Sequence, residues 1–82
     1  MLPKLPRLPS TAVIAALERF GFQVVRQKGS HVVLRRILEN SKGSHTTFTC
    51  VVPMHHRDLA VGTLASVLRQ AGIDNQTFLN AL

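Results

Sequence analysis

Apolar positions along the chain switch between a helical and a strand-like period. Val13, Ile14, Leu17 and Phe20 recur at i, i+1, i+4 and i+7, one stripe on a 3.6-residue repeat. Ser10 stands ahead of the stripe where an N-cap belongs, and Gly21 follows it as a C′ residue would. The spacing predicts a first helix over about Thr11–Phe20. Phe22–Lys28 has no helical stripe, and its Val24-Val25 pair favours a strand. Gly29-Ser30 signals a turn, and the β-branched run His31–Leu38 makes a second strand, so the two form a hairpin. Glu39–His45 is polar and reads as a loop. Thr46–Val52 alternates, with Phe48, Cys50 and Val52 on one face, and Pro53 is expected to stop this third strand. After an irregular Met54–Val61, Leu64, Val67 and Leu68 resume a helical stripe that Gly72 closes, with Thr63 as its expected cap. Asp74 is expected to cap a short last helix carrying Phe78, Leu79 and Leu82. The order is αβββα plus a C-terminal helical turn. This is an α+β fold, with two helices on one face of a three-stranded antiparallel sheet burying both stripes.

Pro3, Pro6 and Pro9 keep residues 1–9 out of this scheme, because each lacks an N–H and clashes with a preceding helical turn. That stretch reads as an extended proline-rich arm ahead of a single domain over 10–82. A chain of 82 residues has no room for a second domain. Its 45% hydrophobic content supports a core. The single Cys50 excludes an internal disulfide and a Cys-rich zinc knuckle, and fits a reducing compartment. No apolar run approaches a membrane span and residues 1–9 lack a signal-peptide core, so a cytoplasmic protein without membrane contact is expected.

Charge changes the picture more. Ten Lys+Arg against four Asp+Glu give a net charge of +6, which points to a polyanionic partner, nucleic acid or acidic protein. The only aromatics are four phenylalanines, too few for an aromatic platform that stacks bases. The four acids are scattered, which argues against a paired-carboxylate mechanism. His55 and His56 are adjacent, so their side chains diverge in most backbones, and no metal site is expected. His31 is more informative. It opens the second strand after a turn, with Lys28 just before it and Arg26, Arg35 and Arg36 around it. An imidazole exchanges protons near neutral pH. RNA cleavage needs a base for the 2′-hydroxyl, an acid for the leaving 5′ oxygen, and cations for the phosphorane charge. The plain alternative is a surface histidine at a strand end. Gly43-Ser44-His45 repeats the tripeptide in the loop, where a catalytic group is poorly held. Arg19 and Arg69 read as solvated helix faces.

Gly29-Ser30-His31 after Gly21-Phe22, then Val52-Pro53-Met54-His55, Leu59, Gly62-Thr63-Leu64 and Gln70-Ala71-Gly72-Ile73 resemble the HicA toxins. These are small mRNA interferases paired with HicB antitoxins in toxin–antitoxin systems linked to stress response. The resemblance runs from about Ser10 to Phe78. It implies a double-stranded-RNA-binding-domain-like fold and an endoribonuclease (a nuclease and hydrolase) that cleaves mRNA. It implies His31 as the catalytic residue and His55, in the Pro-x-His motif, as a second candidate. Lys28, Arg26, Arg35 and Arg36 are the expected RNA-binding residues. A HicB-like antitoxin is the expected protein partner, and no metal or other cofactor is called for. The duplex-binder alternative is weakened by Gly62–Ser66, which carries no Lys or Arg where such domains grip phosphates. A binding-only module for an acidic protein leaves Gly29-Ser30-His31 without a task.

Overall fold

A computed structural model of the chain describes residues 4–54 and 57–82. Its elements run α1 (Ser10–Arg19), β1 (Gln23–Lys28), β2 (His31–Glu39), β3 (His45–Pro53), α2 (Val61–Ala71) and α3 (Asn75–Asn80). The strands form one antiparallel sheet in the order β1-β2-β3. This is the αβββα, α+β fold that the periodicities predict.

One face of the sheet carries the core. Val32 pairs with Val52 and Leu34 with Cys50, and all four are buried with Val13 and Leu17 of α1 and Leu64, Val67 and Leu68 of α2. Phe78 of α3 is fully buried against the same cluster, a side chain worth roughly 1.5–3 kcal/mol relative to exposure. Asp74 caps α3 as expected, accepting the Thr77 N–H at 2.8 Å, whereas Leu82 stays exposed.

Both long helices end alike. In α1 the Phe22 N–H reaches the Leu17 carbonyl and the Gly21 N–H reaches Glu18; in α2 Ile73 reaches Leu68 and Gly72 reaches Arg69. These are Schellman closures, with Gly21 at φ +91° and Gly72 at φ +71°. The apolar residue past each glycine (Phe22, Ile73) is buried together with its partner three residues before the cap.

Several sequence expectations are corrected at the ends of elements. Ser10 is not the N-cap of α1. Pro9 holds that position with no side-chain cap, and Ser10 is the first helical residue. Ser10 is 3% exposed and donates its hydroxyl to the Pro53 carbonyl at 2.7 Å, since its place beside β3 offers an acceptor. Thr63 is not the cap of α2 either, because the helix starts at Val61 behind Ala60. The loop between β2 and β3 is shorter than expected. Asn40 Oδ1 accepts the N–H groups of Lys42 and Ser44 at 2.9 and 3.0 Å, organising a tight turn so that Glu39 still pairs with His45. Pro53 closes β3 from inside, opposite His31, where a missing N–H is tolerated.

The described residues before α1 pack against the domain. Leu5 is 7% exposed, and the Leu8 carbonyl accepts the Leu59 N–H at 2.7 Å. Among the described residues, no helix is long and apolar enough to cross a membrane.

Candidate functional site

Among the described residues, no helix or strand covers the face of the sheet away from the helices. Its residues on β2 are the odd-numbered ones: His31, Val33, Arg35, Ile37 and Glu39. Lys28 stands directly opposite His31 across the β1–β2 hairpin, and Arg26 opposite Val33. Directly opposed Cβ atoms lie about 4.5–5.5 Å apart, so the Lys28 ammonium and the His31 imidazole project from one end of this open face. Arg35 lies four residues further along the same face, about 13 Å away at ~3.3 Å per residue.

His31 sits on the central strand, held from both sides. It pairs with Lys28 on β1 and with Pro53 on β3. The Met54 N–H donates to the Ser30 carbonyl, fixing the turn before His31 to the end of β3. Pro53 is anchored in turn by the Ser10 hydroxyl. The side chain itself is exposed. An acid/base group on a braced backbone with an accessible ring meets the positional demand of proton transfer. A serine at the start of an apolar helix is one sign of this bracing in the sequence, and its partner lies 43 residues away.

Arg36 is not part of this group. It points to the helix side, where its Nη1 donates to the Phe20 carbonyl at 3.1 Å. Its Cζ lies 5.0 Å from the centroid of the Phe22 ring and 5.6 Å from that of Phe48, a cation–π arrangement. The structure therefore brings together His31, Lys28, Arg26 and Arg35, and sets Arg36 apart. His45 is at the far end of β3, paired with Glu39. His55 and His56 lie outside the described residues. Arg19, expected as a solvated side chain, is exposed but donates to the Ala81 carbonyl at 2.7 Å.

One buried thiol stands outside the site's chemistry. Cys50 is buried, and burial pushes its thiol up to about 11, so it holds its proton and is no nucleophile near neutrality. No three of His, Cys, Asp or Glu gather at metal-binding distance among the described residues.

A family model described as the HicA toxin of bacterial toxin-antitoxin matches residues 10–73. The chain belongs to the HicA toxin family. Its match begins at Ser10, the first residue of α1, and ends at Ile73, the residue that completes the Schellman closure of α2. No curated protein matches the chain. The HicA match thus spans both long helices and the whole sheet, His31 and its braces included. The protein is a toxin of the toxin–antitoxin kind, whose open face joins cations with exposed apolar residues. Val25 is 45% exposed and Ile37 60% exposed.

Proposed function

We propose that this HicA-family toxin is a metal-independent endoribonuclease that cleaves mRNA in the cytoplasm, with His31 as its acid/base residue. One observation carries the reading: His31 is exposed at the end of an open sheet face, directly opposite Lys28, on a backbone braced by both neighbouring strands. His31 takes the proton of a ribose 2′-hydroxyl. The 2′ oxygen bonds to the adjacent phosphorus, and the P–O5′ bond breaks. The products are a 2′,3′-cyclic phosphate and a 5′-hydroxyl, whose oxygen receives a proton from an acid. His55 is the second candidate for that acid by its place in the sequence. Lys28 and Arg26 stabilise the charge that builds on the phosphorane oxygens. The nucleophile belongs to the RNA, so the reaction calls for no metal-bound water.

The same face suits neutralisation by a HicB-like antitoxin. An acidic partner is steered onto a cationic surface, and the exposed Val25 and Ile37 offer it apolar area. Covering His31 is then enough for inhibition.

Induced expression of wild type and His31→Ala, with mRNA integrity followed over time, tests the reading. Growth arrest with mRNA loss in wild type only is the expected result. Equal toxicity with intact mRNA overturns it. Cleavage of purified RNA that persists in EDTA is expected, and loss of cleavage in EDTA points to a metal instead.

A further inference from the structure

Arg36 and Arg19 each donate to a backbone carbonyl, whereas among the described residues Arg35, like Arg26 beside it on the open face, makes no side-chain hydrogen bond. It separates two depressions on the open sheet face. One, of about 340 Å³, is lined by Gly21, Gln23, Val25, Arg35 and Ile37. The other, of about 430 Å³, is lined by Val25, Arg26, Val33, Arg35 and Thr49. Each wall mixes polar groups with two aliphatic side chains, Val25 with Ile37 in the first and Val25 with Val33 in the second, so the face of a ring can lie on apolar surface beside the guanidinium edge.

We propose that Arg35 is the centre of a base-reading subsite that takes a guanine of single-stranded RNA, a few nucleotides from the bond presented to His31. Guanine offers two acceptors, O6 and N7, spaced for the two-pronged donor edge of an arginine, whereas adenine places a donor at one of those positions. Val25 supplies an apolar wall to both depressions. Arg26, which lines the second, lies between Arg35 and Lys28 and continues the cationic path toward His31. An unstacked single strand can lay its bases on an open sheet in this way, while the bases of a paired A-form helix are out of reach. The proposal rests on the reading of the chain as an RNA-cleaving toxin and adds sequence selection to it.

Binding and cleavage are measured separately at one fixed salt concentration. His31→Ala protein is titrated with fluorescein-labelled uridine 12-mers carrying a single central guanine, a single adenine, or neither. Guanine is expected to tighten binding on the order of tenfold over adenine. Arg35→Lys, made in the same background, keeps the charge but not the fork. It is expected to lose the guanine preference more than it loses uridine binding. In wild type, cleavage sites mapped on a mixed-sequence RNA are expected at a fixed offset from guanine, with the offset blurred in Arg35→Lys. No guanine preference in the His31→Ala protein, or the same preference after Arg35→Lys, overturns the subsite whether or not RNA is cut. If guanine preference persists but wild type cuts no RNA, the nuclease reading falls and the subsite stands. Unchanged RNA behaviour in Arg35→Lys with impaired neutralisation by a co-expressed antitoxin makes Arg35 a protein contact and overturns the proposal.

Discussion

Arg35 and Arg36 are consecutive residues of β2, and their side chains serve opposite faces of the sheet. Arg36 is enclosed by Phe22, Phe48 and the Phe20 carbonyl, while Arg35 stands on the open face between two shallow depressions. Two residues of one type, side by side, therefore fail differently. Arg36→Met is expected to cost about 1–3 kcal/mol through the lost hydrogen bond and cation–π contacts. Arg35→Met is expected to stay within about 0.5 kcal/mol of wild type. Thermal unfolding followed by circular dichroism separates them, at roughly 4–8 °C per kcal/mol for a domain of this size. Equal melting temperatures would remove Arg36 from the core account.

His31→Ala is expected to lower RNA cleavage by about 10²–10⁴ with little change in melting temperature, because the side chain is exposed. A comparable loss of stability would make His31 a structural residue. Single-turnover cleavage and a thermal melt on the same preparation decide it.

Lys28→Ala is expected to weaken RNA binding for every sequence alike. It should also lower the slope of log affinity against log salt by about 0.7, as for one lost phosphate contact on a single strand. An unchanged slope means that the ammonium touches no phosphate.

Gly72→Ala combines two penalties. The residue needs a left-handed backbone, and an added Cβ would sit 2.5 Å from the Phe48 ring. The expected cost exceeds about 2 kcal/mol. Gly43 is also left-handed, at φ +80°, but a Cβ there meets nothing within 4 Å. Gly43→Ala should therefore cost only the backbone penalty of about 1–2 kcal/mol. Urea midpoints of the two variants give the difference directly.

Cys50 ties stability to alkaline pH. Burial raises its thiol from 9.0 to about 11 in the folded chain. The folded state thus keeps a proton that the unfolded state loses. This contribution is complete below about pH 9 and is lost as pH rises through about 11. Cys50→Val is expected to flatten the decline in stability across that window. An unaltered profile would trace the decline to other groups.

The helices, the strands and the inner face were legible in the sequence because period and turn chemistry agree there. Leu17, Leu34, Val52 and Leu68 fall where the stripes put them. His31 was legible as a candidate through its motif and the cations around it. What was not legible depends on contacts between distant parts of the chain. Alternation alone divides Arg35 from Arg36, but only the Phe22 and Phe48 rings explain why Arg36 tolerates its side of the sheet. Ser10 resembles a cap in sequence because serine is the usual residue there. The Pro53 carbonyl, 43 positions away, gives the hydroxyl a better partner. Leu5 looked like part of a proline-rich arm, and its burial follows from the Leu8–Leu59 pairing, which no local pattern encodes.

That pairing makes the first residues a latch. The Leu8 carbonyl holds the backbone of Leu59, which lies between β3 and α2, so residues 9–58 are gathered into a loop closed by one strand-like bridge. An endopeptidase that clips the chain just before α1 would open that loop without touching the sheet or His31. Loss of the bridge would then loosen the stretch that joins the β3 end to α2.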